Sequence, residues 1–191
     1  SQYYGMTEFE IMAVWEDNRK ESANKGTTLH KMIEDYYNDL EVDYETMDEF
    51  VYFIRFDGEE RIEPYRTEWM IWDETLKIAG SIDMISKNED GTFTIYDWKR
   101  SKKISRTAFN DKCSEIPGLT HIPDTNYWHY TIQLNIYKYI LETCYGLVVR
   151  DMYIVQIHPD IAGFNKIKIN TLAGEIDTIM IRRGNDLNKG C

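Results

Sequence analysis

Cysteine is scarce in this chain. Its 191 residues include three, Cys113, Cys144 and Cys191, at wide spacings and with no C-x-x-C pair. An odd number so spaced builds no disulfide framework and no zinc or iron–sulfur cage, and it fits free thiols in a reducing, intracellular compartment. Proline is nearly as rare, at four, so few hard breaks interrupt the elements. No apolar run approaches the ~18 residues of a membrane helix, and no signal-peptide pattern opens the chain. Positive charge is also short. Twenty-two Lys and Arg stand against 33 Asp and Glu, net charge -11, which excludes a protein that coats nucleic acid nonspecifically but not an enzyme that grips it locally. Internal repeats and low-complexity segments are missing.

What is present describes a folded domain. Hydrophobic residues make up 42% and aromatics 14%, enough for a sizeable core in one domain, or one domain with a helical appendage. The chain begins Ser1-Gln2 without an initiator Met, as a piece of a longer polypeptide would. The spacing predicts a helix from Met6 to about Ala23, a break at Gly26, and a second helix through "TLHKMIEDYYNDL", capped by Thr27 or Thr28. A third helix is predicted from Met47 to Phe56. The pattern then switches to strands in "PYRTEWMIWDE" and "LKIAGSIDMISKN", turning near Asp73-Glu74-Thr75, and Asp90-Gly91 turns the chain again into "TFTIYDWK". Ser101 to about Thr125 reads as a long irregular excursion. A buried helix over "TNYWHYTIQLNIYKYILETCYG", strands in "LVVRDMYIVQIHP" and "FNKIKIN", and a helix over "TLAGEIDTIMIRRG" follow. The fold class is α/β, with a mixed central sheet flanked by helices.

One constellation carries chemistry. In "TFTIYDWK" side chains alternate, so Asp97 and Lys99 share a face while Tyr96 and Trp98 take the other, where Trp98 can anchor the strand. Positions 83 and 97 are symmetric about 90, so the hairpin brings Asp83 beside Asp97. Two carboxylates that close repel unless a cation or proton lies between them, and Mg²⁺ or Mn²⁺ suits such oxygen ligands. Phosphodiester hydrolysis needs a polarised water and relief of charge on the phosphate; a metal supplies both, and an ammonium such as Lys99 assists. Five of the 22 basic residues, Lys99, Arg100, Lys102, Lys103 and Arg106, fall within eight positions here. Asp-x-Lys alone is a weak signal, and a basic run alone is a solvated loop.

The combination "GSIDMI…TIYDWKRSKK" resembles the core motif of the PD-(D/E)XK nuclease superfamily in its RecB-like exonuclease branch. Further matches follow the branch's order from about Gly26 to Glu142. "GTTLHKMIE" is similar to the upstream helix motif whose histidine, here His30, joins the metal site. "TEWMI" offers Glu68 as an additional acid, and "IQLNIYKYILE" resembles the Gln-x-x-x-Tyr helix motif, giving Gln133 and Tyr137. The aromatic-rich wording looks most like versions encoded by large DNA viruses, which would place the protein in a host cytoplasm or nucleus. The resemblance implies a restriction-endonuclease-like core over 61–183, a helical part over 1–60 and a disordered tail over 184–191, together one nuclease domain. It implies one or two Mg²⁺ or Mn²⁺ ions held by His30, Glu68, Asp83, Asp97 and the Trp98 carbonyl, with Asp83, Asp97 and Lys99 catalytic. Gln133, Tyr137, Arg100, Lys102, Lys103 and Arg106 would contact the substrate, and Glu34 would orient His30. Two departures stand out. Some members hold an iron–sulfur cluster on four cysteines, for which this chain has no set, and the second acid is Asp97 where Glu is commoner.

Each of these residues also has an ordinary reading. A lone histidine on an amphipathic helix is commonly structural, Glu34 can be a helix ion-pair partner, and Gln133 and Tyr137 can be core residues with hydrogen-bond partners. His121, His129 and His158 lack ligand spacing and are expected to be structural. The expected activity is DNA exonuclease, with fusion to or association with other replication or repair domains and without membrane association. An endonuclease acting on RNA or on DNA junctions and nicks uses the same residues, and a catalytically silent nucleic-acid-binding module is the rival from another class.

Overall fold

A computed structural model describes residues 3–161 and 163–189. Five strands form one sheet in the order β1-β2-β3-β4-β5. β1 (Pro64–Asp73), β2 (Ile78–Lys87) and β3 (Phe93–Arg100) are antiparallel neighbours, as the two turn signals require. β4 (Val149–His158) lies parallel to β3, and β5 (Gly163–Lys168) closes the far edge antiparallel. A parallel neighbour is out of reach of a tight turn, so the chain crosses over through α3 (Asn126–Cys144). The mixed sheet and flanking helices are those expected of the α/β class.

Both faces of the sheet are covered. On one side Ile82, Ile85, Ile95 and Ile154 pack with Leu134, Ile140 and Leu141 of α3. On the other, Met84, Trp98, Val155 and Ile157 meet Leu29 and Ile33 of α1 (Glu8–Tyr37) and Phe50, Phe53 and Phe56 of α2 (Phe50–Glu60). Phe53 and Phe56 approach the Trp98 ring edge-on at 5.6 and 5.5 Å, so Trp98 does anchor β3. Tyr36 and Tyr37 each donate to Asp57 at 2.9 Å, tying α1 to α2.

Three expectations are corrected. The break at Gly26 does not occur, and α1 is one helix of 30 residues. Its start is capped by Thr7 in a capping box with Glu10, and the Glu21–Lys25 and Lys31–Asp35 pairs brace the turns around the glycine. Thr27 and Thr28 are not caps, because their hydroxyls donate back to the carbonyls of Ala23 and Asn24. The third helix begins at Phe50 instead of Met47 and runs on to Glu60, stopping where Arg61 turns left-handed at φ 50°. The tail expected from residue 184 is helical through Lys189, as part of α4 (Ala173–Lys189). Arg183 donates to the carbonyls of Leu76 and Lys77 and docks α4 onto the β1–β2 turn. The end of the expected tail, Gly190 and Cys191, lies outside the described residues, as do Ser1 and Gln2. Among the described residues no helix is long and apolar enough to cross a membrane.

One contact fixes how closely α3 sits on the sheet. A Cβ on Gly80 would lie 2.3 Å from Cε1 of Tyr137, far inside contact distance. Gly80→Ala should therefore cost about 1–3 kcal/mol through overpacking. Urea denaturation checks this, and pairing the change with Tyr137→Leu should recover part of the loss; a Gly80→Ala protein as stable as wild type would show that α3 can ride higher.

Candidate metal centre and active site

The site forms where α1, β1, β2, β3 and α3 meet. Asp83 precedes Met84, the partner of Tyr96, so the ladder carries it to Asp97 as the symmetry about position 90 predicts. Beyond this point the ladder is replaced by a side-chain bond, and the Trp98 amide donates to Asp83 Oδ2 at 2.7 Å. The alternation of β2 slips here too. Ile82 and Ile85 join the α3 core although three residues apart, while Met84 joins the α1/α2 core. Glu68, opposite on β1 between the Thr67–Met84 and Trp69–Ile82 pairs, is left-handed at φ 44°. Such a backbone costs of order 1–3 kcal/mol in a non-glycine residue and is concentrated at functional sites.

His30 completes the group. Its Nε2 lies 2.9 Å from the Trp98 carbonyl, which can only accept, so Nε2 carries the proton. In the neutral ring Nδ1 then holds a lone pair, 3.6 Å from Asp83 Oδ1 and 3.8 Å from Glu68 Oε1. One ligand atom from each of His30, Glu68 and Asp83 lies within 4.8 Å of the others, a span that a cation with bonds of ~2.1 Å can draw together. Asp97 is placed differently. It is 2% exposed, and its Oδ2 lies 2.6 Å from the Lys99 ammonium. The same oxygen has no partner of hydrogen-bonding geometry, so the contact is one of charge and leaves a lone pair unused.

The electrostatics express crowding. Burial, reinforced by the neighbouring Asp97 charge, pushes the Asp83 carboxyl up to about 7. Burial also raises Asp97, against the pull of Lys99. For His30 burial disfavours the charged form, but Glu68 and Asp83 outweigh it and raise its proton affinity. Lys99 likewise stays above its ordinary value, because Asp97 and Asp83 overcome its burial. A nitrogen and several carboxylate oxygens, two of the acids reluctant to ionise and one oxygen orphaned, form a donor set that a hard divalent cation fits.

The other expected residues divide. Gln133 donates to the Tyr137 hydroxyl at 3.0 Å on the shared face of α3. Burial, then the carboxylates of Asp97 and Asp83, raise the Tyr137 phenol. Arg100 does not face solvent as a phosphate contact should. Its guanidinium is buried in an ion pair with Glu49 on the α1/α2 side. Glu34 pairs with Lys31 at 3.1 Å, so the group that orients His30 is the Trp98 carbonyl, itself expected as a ligand. Lys102 is exposed and pairs with Asp160, and Lys103 is exposed. Arg106 lies 4.3 Å from the Tyr127 ring centre, on an excursion that Asn126 and Trp128 pin to α3 through bonds to the Lys103 and Arg106 carbonyls. His121 and His129 pair with Glu175 and Asp124, and His158 accepts from the Asp160 amide. Sequence reasoning missed Tyr130, whose ring lies 4.9 Å from the Lys99 ammonium; its position three residues before Gln133 was the available signal.

No family model and no curated protein matches this chain. Solved structures do. A protein from Eubacterium rectale with the provisional name of exonuclease shares the fold at TM-score 0.50 and 11% identity, over 86% of this chain and 65% of its own. A protein named SSO0001 aligns at TM-score 0.37 and 20% identity, over 71% of this chain and 58% of its own. This chain thus spans less than two thirds of either protein. At such identity the first likeness is one of fold.

The raised acids predict a pH dependence. The unfolded Asp83 ionises near 3.8, whereas the native one keeps its proton to about 7. Between these values the native state binds more protons, so stability falls as pH rises; the raised His30 acts in the same direction, its contribution being lost as pH climbs through its native pKa. In EDTA, Asp83→Asn should therefore gain on wild type between pH 5 and pH 8, as measured by urea unfolding. A stability difference constant across that range would mean Asp83 titrates normally.

Proposed function

We propose that the protein is a divalent-metal-dependent nuclease that hydrolyses phosphodiester bonds, acting on DNA as an exonuclease of RecB-like type. The observation that carries this reading is the convergence of His30, Glu68 and Asp83 beside the buried Asp97–Lys99 pair. The sequence resemblance supports the choice of DNA and of exonuclease, and the fold shared with the Eubacterium rectale protein is consistent with it. The free thiols of Cys113 and Cys144 suit an intracellular setting.

His30, Glu68 and Asp83 would hold Mg²⁺ or Mn²⁺, with Asp97 turning its unused oxygen to the same centre. A bound ion there supplies polarisation of the attacking water and neutralisation of phosphate charge. The chain's own residues divide the remaining tasks. Lys99, whose proton affinity Asp97 and Asp83 raise, would donate hydrogen bonds to the water or to a phosphate oxygen. Asp97 lies 2.6 Å from that ammonium and positions it. Tyr130 covers the open side of Lys99, and Gln133 and Tyr137 present an amide and a phenol towards the substrate backbone. Lys103 and Arg106 offer phosphate contacts along the excursion.

Two measurements test this. Wild type incubated with end-labelled single-stranded DNA, double-stranded DNA and RNA should degrade DNA in Mn²⁺ and not in EDTA. Lys99→Ala should lose at least about a hundredfold in rate with its fold intact. Cleavage of RNA alone would shift the reading to an RNA endonuclease, and wild-type turnover in Lys99→Ala would remove the lysine from the mechanism.

Independently of cleavage, Mn²⁺ should raise the melting temperature. At a hundredfold excess over its Kd the ligation is worth about 2.7 kcal/mol. The rise should vanish in Asp83→Asn and shrink in His30→Ala. If Asp83→Asn responds as wild type does, the ion binds elsewhere.

A further inference from the structure

Beside the metal group the surface opens into a cleft of about 510 Å³. It runs along one face of α1, formed by Ala23, Gly26, Thr27 and His30 and bounded by Glu68 of β1, with Lys31 and Glu34 alongside. Other surface depressions of the protein match it in size, and its position distinguishes it. Two of its lining residues, His30 and Glu68, belong to the metal group. The buried Asp97–Lys99 ion pair adjoins that group.

Gly26 leaves the floor of the cleft without a side chain, and nothing inside the protein requires a glycine there. Its backbone is helical with no positive φ, and no atom lies within 4 Å of where its Cβ would be. Alanine in the same place would be the better helix former. Gly58 of α2 has similarly open surroundings without a cleft beside the metal group, so a helical glycine by itself carries nothing. The significance of Gly26 comes from its position one turn before His30.

The chemistry of the walls selects the occupant. The Thr27 hydroxyl is spent on the Ala23 carbonyl, which leaves a methyl group, the Ala23 side chain and bare backbone as an uncharged floor. The Lys31 ammonium lies 3.1 Å from Glu34 and 2.9 Å from Asp35 in exposed pairs. Among the described lining residues Glu34 and Glu68 outnumber this lysine, so a phosphate in the cleft meets an excess of negative charge, whereas a flat neutral group meets no such penalty. We propose that the cleft over Gly26 receives the sugar and base of the nucleotide flanking the scissile phosphate, with that phosphate directed to His30, Glu68 and Asp83. This rests on the nuclease reading and adds the side from which the substrate strand reaches the centre.

Filling the cleft tests it. Gly26→Leu, with Ala23→Leu as an independent second variant, should melt at or above the wild-type temperature and keep the Mn²⁺-induced rise. Both should lose about tenfold or more in kcat/KM on a labelled oligodeoxynucleotide. In a Lys99→Ala background, both should bind the same oligonucleotide more weakly by fluorescence anisotropy. Gly26→Ala should retain more activity than Gly26→Leu. Wild-type cleavage and binding in both leucine variants would overturn the cleft assignment while leaving the nuclease reading intact. Loss of the Mn²⁺ response would also overturn it, since the added side chains would then be disturbing the metal ligands. Failure of the wild type itself to cleave or bind any oligonucleotide would overturn both.

Discussion

The site depends on the backbone of one buried residue. The Trp98 amide holds Asp83, its carbonyl holds His30, and its indole is gripped by Phe53 and Phe56 beneath the sheet. Because side chains alternate along a strand, fixing Trp98 on one face also fixes Asp97 and Lys99 on the other. Four side chains of the candidate site, from three elements, are thereby referred to one rigid point. The large aromatic core on the α1/α2 side gives that point its stiffness, so packing remote from the chemistry determines how accurately the polar groups meet.

Charge is what the arrangement costs. Glu68, Asp83 and Asp97 meet with Lys99 and His30 in a place where burial already disfavours carboxylates. The left-handed backbone at Glu68 adds strain in the same spot. Neither feature stabilises the fold; both are tolerated because two well-packed cores hold the sheet from either face. The acidic balance of the whole chain has a related local form, in which the basic run after Lys99 is partly spent inside the protein. Arg100 neutralises the buried Glu49, and only the residues further along reach solvent.

Much of this was legible in the sequence, for identifiable reasons. Hairpin chemistry at Asp90-Gly91 and strand alternation fix where Asp83, Asp97 and Lys99 lie, because both are short-range rules with a rigid period. The family resemblance added His30 and Glu68, which come from distant segments and leave no local trace of their convergence. Helix boundaries were less legible. Gly26 reads as a breaker because its intrinsic cost is visible, while the ion pairs and tertiary packing that outweigh it are not. The end of α4 was missed for a similar reason, since Arg183 is secured by carbonyls of a turn more than a hundred positions earlier. Arg100 shows the converse error: it lies in the basic run, but Glu49, from a distant segment, has already engaged its guanidinium.

The bond between His30 and Trp98 joins residues 68 positions apart. A contact of that span closes late, after its loop entropy has been met by other structure, and it sets Nδ1 facing the acids. During synthesis on the ribosome, therefore, the N-terminal helices can form while the centre does not yet exist. Until β3 has emerged and joined the sheet, the nascent chain presents its carboxylates apart from one another, and the gathered donor set is a property of the finished fold alone.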